Sequence, residues 1–169
     1  MVLTRVLRGL GPALMTFLVY IIFTGSVRFY DIFTGAIVAG VVGALVANIT
    51  VTNPSKLANP KRFLWLIAYA LRYFFVDEVR AHLDVMYRIL HPKMPIRPGI
   101  VRVPYDVKTD YAITAVANSV TNTPGTVVVD IDEGKRLYYI HWINVKGIEV
   151  SITKEIIRKF EFFASRVFD

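Results

Sequence analysis

Residues 32–51 read IFTGAIVAGVVGALVANITV, twenty positions without one ionisable side chain. A helix rises about 1.5 Å per residue, so this run reaches about 30 Å, the thickness of a bilayer's hydrocarbon core. It predicts a transmembrane helix. Small residues recur in it every four positions, Gly35, Ala39, Gly43 and Ala47 in one row and Ala36, Gly40 and Ala44 in the next. Rows at that spacing share a helix face and present almost no side chain, so another helix backbone can come close. The pattern predicts a face for helix packing.

Upstream, residues 10–27 form an eighteen-residue run free of charge, with Pro12 in its first turn, where a missing N–H is tolerated. The competing reading is a secretory leader, with Arg5 and Arg8 as its basic region and a small-residue cleavage site near Gly25–Ser26. The second run would anchor the protein even after such a cleavage. Downstream, Asn53-Pro54-Ser55 and Asn59-Pro60 mark a loop. Residues 63–90, FLWLIAYALRYFFVDEVRAHLDVMYRIL, begin like a third span, but Arg72 interrupts the run after nine residues. Asp77, Arg80, Asp84 and Arg88 then share one helix face, with Phe75, Val79, Met86 and Leu90 elsewhere. This predicts a long amphipathic helix lying on the membrane or along partner helices, with a third span as the alternative.

Basic residues arbitrate, because Lys and Arg gather on the cytoplasmic side of spans. Two spans put Arg5, Arg8, Lys56, Lys61 and Arg62 on one side and leave only Arg28, beside Asp31, on the other. Both termini are therefore expected in the cytoplasm.

After His91-Pro92-Lys93-Met94-Pro95 the composition becomes that of a soluble unit. Residues 99–103 alternate as a strand. Asp106 can cap a helix with Tyr111, Ile113, Val116, Ala117 and Val120 on its apolar side. Residues 126–131 and 137–143 read as strands of a hairpin, and residues 151–167 as a last helix with Ile152, Ile156, Phe160, Phe163 and Val167 in phase. The expected fold is an α+β membrane protein in three parts. Two transmembrane helices occupy 1–52, a linker and amphipathic membrane-surface helix occupy 53–95, and a cytoplasmic βαββα domain occupies 96–169.

Of the 169 residues 54% are hydrophobic and 20% charged, and the mean hydropathy is +0.48. The net charge is +7, and the stretch before Lys93 holds 9 Lys/Arg against 4 Asp/Glu, so the membrane-like part is the basic part. These cations flank apolar runs and form no single stripe, which points to anionic lipid headgroups and away from nucleic acid. Absence of cysteine excludes disulfides, thiolate chemistry, Cys-ligated clusters and Cys-type zinc sites from this chain. Glutamine is absent too, and a chain rich in Lys, Arg and Glu without these thermolabile residues suggests a high-temperature source.

Motifs for chemistry are sparse. Of His82, His91 and His141, only His82 has a neighbour at ligand spacing, Glu78, and one such pair is a weak zinc signal. Asp130 and Asp132 fit turn and capping groups better than calcium ligands. Gly125 and Gly134 fit turns, and Ser119 has no nearby base. No catalytic, metal or cofactor residue is expected. Arg72, Asp77 and Glu78 stand out because charge at membrane depth is costly and usually serves an ion path or a partner. The plainer reading puts them at the headgroup boundary, with Arg72 snorkelling and the carboxylates hydrated.

The runs Arg97-Pro98-Gly99-Ile100, Ala117-Asn118-Ser119-Val120-Thr121-Asn122-Thr123-Pro124-Gly125-Thr126, Val129-Asp130-Ile131 and Tyr139-Ile140-His141-Trp142-Ile143 carry a family likeness, with Asn59-Pro60-Lys61-Arg62 and His91-Pro92-Lys93 matching in the linker regions. With them the chain resembles the E subunits of the Mrp-type multisubunit sodium/proton antiporters over nearly its full length. The resemblance implies a non-catalytic assembly component whose partners are the other membrane subunits of the antiporter module. It also implies a setting among archaeal energy-converting complexes, where an Mrp-like module joins a membrane-bound hydrogenase or a sulfur-reducing enzyme. For Asn118, Thr121, Thr123, Pro124 and Gly125 it implies a helix end and tight turn, with no ligand. The alternative is a stand-alone membrane-anchored module presenting its small domain to a soluble ligand.

Overall fold

The computed structural model describes residues 2–50, 56 and 59–169. The expected loop at Asn53-Pro54-Ser55 and the last residue of the expected second span, Val51, lie outside them. The chain forms two compact units, residues 1–59 and 60–169.

The first unit is a helical hairpin of α1 (Val2–Thr24) and α2 (Phe29–Thr50). Pro12 is accommodated within α1, which begins earlier than the apolar run because helix continues through Arg5 and Arg8. Residues 25–27, expected at the end of the first span, form the turn instead. Gly25 sits at φ +62, the left-handed conformation that ends helices and that glycine adopts without steric cost. The Ser26 hydroxyl donates to Asp31 at 2.5 Å and accepts weakly from the Arg28 N–H, which organises the start of α2. Two stretches, Val6–Thr24 and Phe29–Ala47, are long and apolar enough to cross a membrane, and almost all of their surface is open. A soluble core helix would bury such a surface, so this exposure asks for lipid or partner helices.

The second unit begins with one long helix. It runs as α3 (Pro60–Arg72), a π-helical turn (Tyr73–Asp77) and α4 (Glu78–Leu90). Then follow β1 (Gly99–Pro104), α5 (Asp110–Asn122), β2 (Thr126–Asp132), β3 (Leu137–Trp142), α6 (Val150–Thr153) and α7 (Glu155–Phe168). The sheet is antiparallel in the order β1-β3-β2, with Val101 opposite Ile140 and Val103 opposite Tyr138, and a bulge in β2 between Val128 and Asp130. Inward residues Val101, Val103, Tyr138 and Ile140 are fully or almost fully buried against Val116 and Val120 of α5 and Ile157 and Phe160 of α7. Each such side chain contributes about 1.5–3 kcal/mol on leaving water.

Several sequence expectations shift. The amphipathic helix, expected within 53–95 and apart from the domain, forms one compact unit with it. Tyr69 stacks on Phe163 at 5.4 Å, Trp65 meets Phe162 edge-on at 5.9 Å, and the Arg62 guanidinium donates to the Val167 carbonyl at 2.9 Å. The cap of α5 is Thr109, whose hydroxyl accepts from the Ala112 N–H, while Asp106 pairs with Lys154. Tyr111 is half-exposed; the inward row of α5 runs through Ala112, Val116 and Val120. The last helix is interrupted at Lys154, where α6 ends and α7 begins.

Candidate functional site

Helix packing is the first candidate, and the two small-residue rows of α2 have different fates. Gly35, Ala39, Gly43 and Ala47 face α1 and are buried. A Cβ on Gly43 would stand 2.8 Å from the Gly9 carbonyl oxygen and from the Ala13 Cβ, and one on Gly35 would strike the Tyr20 ring at 2.7 Å. This row therefore closes the hairpin. Ala36, Gly40 and Ala44 are exposed, and a Cβ on Gly40 meets nothing within 4 Å. With Gly9 and Ala13 of α1, Gly40 and Ala44 line a shallow apolar groove along the outside of the hairpin.

The ionisable candidates Arg72, Asp77 and Glu78 meet at the π turn, and here the expectation of hydrated carboxylates fails. Asp77 is only 3% exposed. Its carboxylate accepts from Lys159 of α7 at 2.8 Å and lies 3.4 Å from the Arg72 guanidinium. Lys159, the partner that neutralises it, lies far along the chain and carries no sequence signal of pairing. Glu78 is mostly buried, with His82 Nδ1 at 3.4 Å from one oxygen. Its other oxygen and the Tyr73 hydroxyl are both shut from water beside each other, without a well-formed hydrogen bond among the described residues. Burial pushes the Tyr73 hydroxyl up to about 12, and the neighbouring Glu78 carboxylate adds to that rise. His82 Nδ1 also bonds its own helix at the Glu78 carbonyl, 2.9 Å away. Among the described residues no three His, Cys, Asp or Glu side chains come together as a metal site would need.

Signature residues 118–126 build the junction of α5 with β2. The Thr123 hydroxyl donates to the Ser119 carbonyl at 2.6 Å and that of Thr126 to the Val120 carbonyl at 2.8 Å, so carbonyls at the helix end find partners. The Thr121 hydroxyl accepts from the Val128 N–H at 3.2 Å, tying the helix to the strand. Gly125 takes φ +94, and a Cβ there would press on Ile143 at 3.1 Å. Pro124 sits half-buried in the turn and Asn118 is exposed. The Ser119 hydroxyl is bound to Tyr69 and to the Ala115 carbonyl, which anchors α3 on α5.

A hairpin closed by glycine, joined to a small α+β unit with these threonine turns, can be compared with known proteins. A family model described as MNHE, Na+/H+ ion antiporter subunit, matches residues 13–167. The chain belongs to this family. The Na+/H+ antiporter E subunit of Alkalihalophilus pseudofirmus is 38% identical over 100 residues, covering 59% of this chain and 63% of that relative. The E1 subunit of Staphylococcus haemolyticus is 35% identical over 108 residues, covering 57% of this chain and 68% of that relative. The chain thus spans less than two thirds of the Alkalihalophilus relative's length. Among solved structures, a chain of the membrane-bound sulfane sulfur reductase, an archaeal respiratory membrane complex, matches with TM-score 0.82 and 34% identity, over 95% of this chain and 99% of that one. As in that neighbour's fold, this antiporter-family chain combines two apolar N-terminal helices with a small antiparallel sheet and its helices.

Proposed function

We propose that this chain is a non-catalytic structural component of a multisubunit Na+/H+ antiporter module, working in an archaeal energy-converting respiratory complex of the membrane-bound hydrogenase or sulfur-reducing type. The observation that supports this most is the match over nearly the whole of both chains to one from an archaeal respiratory membrane complex. Two further features agree with an assembly role. The second and third small-residue positions of the outer row, Gly40 and Ala44, leave a groove that a partner helix can fill. The apolar helices also carry no charged residue between Gly9 and Val27 or between Ile32 and Ser55. Proton paths through membranes are normally marked by acidic, basic or histidine side chains facing the inside of a helix bundle, so ion translocation belongs to other chains and this one holds them together. Both helices cross the membrane, and the domain that follows lies on the cytoplasmic side with the basic residues.

The test is purification of the tagged chain from native membranes under mild detergent, with identification of what accompanies it. Large antiporter subunits together with hydrogenase or sulfur-reducing subunits are expected. Recovery of the chain alone, or with a single soluble protein, would contradict the reading.

A further inference from the structure

We propose that the π turn at Tyr73–Asp77 keeps α3 and α4 in phase, so that the long helix presents one unbroken apolar stripe to an anionic membrane surface. The proposal rests on the membrane placement argued above. Residues of an α-helix advance by about 100° each. Counted from Tyr69, which points into the core, Ile67 and Leu71 of α3 and Phe74 at the start of the π turn fall on the opposite side of the helix, and each is well exposed. In an uninterrupted α-helix Val79, Leu83 and Met86 would follow a face turned by about 100° from that one. The π turn absorbs one residue more than an α turn does, and the second half swings back by that angle. Val79, Leu83 and Met86 then continue the outer side, and all three are exposed. The same swing brings Asp77 and Arg88 to the inner side, where both are buried, and sets Val85 against the α5–β2 turn at Gly125.

Charge identifies the occupant. Lys61, Arg72 and Arg80 fall on one flank of the stripe by the same count. The acidic groups of the helix are turned in or neutralised: Asp77 is buried and paired with Lys159 at 2.8 Å, Glu78 is turned in beside His82, and Asp84 forms a bidentate pair with Arg88 at 2.8 Å. A stripe about 28 Å long from Ile67 to Met86, with a basic flank, matches apolar acyl boundary and anionic headgroups together. The tether agrees, since nine residues separate α2 from α3 and reach at most about 35 Å.

The chain has no cysteine, so single fluorophores can be placed by Leu71→Cys, Leu83→Cys, Leu45→Cys in α2 and Glu149→Cys on an exposed part of the domain. The full chain is reconstituted into phosphatidylcholine vesicles with phosphatidylglycerol and a nitroxide-bearing lipid. Leu71→Cys and Leu83→Cys are expected to be quenched alike, about threefold more than Glu149→Cys, as for an interfacial helix. Inserting one alanine after Val76 is expected to abolish quenching at Leu83→Cys and spare Leu71→Cys. Quenching at Leu71→Cys alone in the parent chain, or an insertion without effect, overturns the phase argument. Quenching at Leu45→Cys alone means that a partner protein or solvent, not lipid, covers the stripe. No quenching at Leu45→Cys means that the membrane placement itself has failed, and the stripe's role with it.

Discussion

Asp77 sits almost out of water between Lys159 and Arg72, and its surroundings define what a change there does. Removing one partner of a buried pair costs about 3–5 kcal/mol when the other charge is trapped. Lys159 and Arg72 are both about a third or more exposed and can turn to water. Asp77→Asn should therefore cost about 2 kcal/mol, seen as an earlier thermal transition of the purified chain. Gly125→Ala combines a left-handed backbone with a tight contact on Ile143 and should cost about 1–3 kcal/mol in the same measurement. Tyr73 gives a pH prediction. Its hydroxyl ionises near 12 in the folded domain against an ordinary value of 10.0. A raised value means that the protonated form is favoured by folding, so this contribution is complete below pH 10 and is lost as pH climbs toward 12. Burial also raises Tyr138 and Tyr105, so the tyrosinate absorbance of these three rings should lag behind that of free tyrosine and then appear together with unfolding. Titration of these three like free tyrosine in a folded domain would contradict this. Asp77 and Glu78 are visible in the sequence as unusual charges, but Lys159 is not, because long-range pairing leaves no local pattern.

The elements themselves are legible wherever hydrophobic period and turn chemistry agree. The two apolar helices, the long helix and the order βαββα follow from runs of charge-free residues, Pro and Gly punctuation, and alternating strands. What escapes is what only packing decides. Gly25 ends α1 before the apolar run is over, the π turn leaves no composition mark, and the long helix sits on α7 through Trp65 and Tyr69, aromatic residues equally suited to lipid. The small-residue rows of α2 are readable as rows, but not which of them the chain uses itself. That division makes a paired prediction. Gly43→Leu drives a side chain into Gly9 and Ala13 and should open the hairpin, lowering the yield of folded chain in any setting. Gly40→Leu meets open space and should leave the hairpin intact while weakening recovery of partner subunits about tenfold. Equal recovery of partners from Gly40→Leu and parent membranes would mean that this row faces lipid.

At the scale of the whole molecule, membership of the antiporter-subunit family and the near full-length structural match support the proposal of a component built to assemble. Its apolar helices lack charged groups over their inner stretches, and the buried Asp77 carboxylate is neutralised inside the second unit by Lys159 and Arg72. The two-span topology can be checked by a single cysteine at Ser55, which should stay inaccessible to impermeant thiol reagents added outside cells. The central claim is that the chain supports ion translocation without carrying the ion. The measurement that tests it most directly is sodium/proton exchange in vesicles, normalised to intact complex, for a chain bearing Asp77→Asn and Glu78→Gln together. Exchange per assembled complex should match the parent, with any loss of total activity accounted for by lost assembly. A fully assembled complex that has lost most of its exchange would place one of these carboxylates on the ion path and contradict the account.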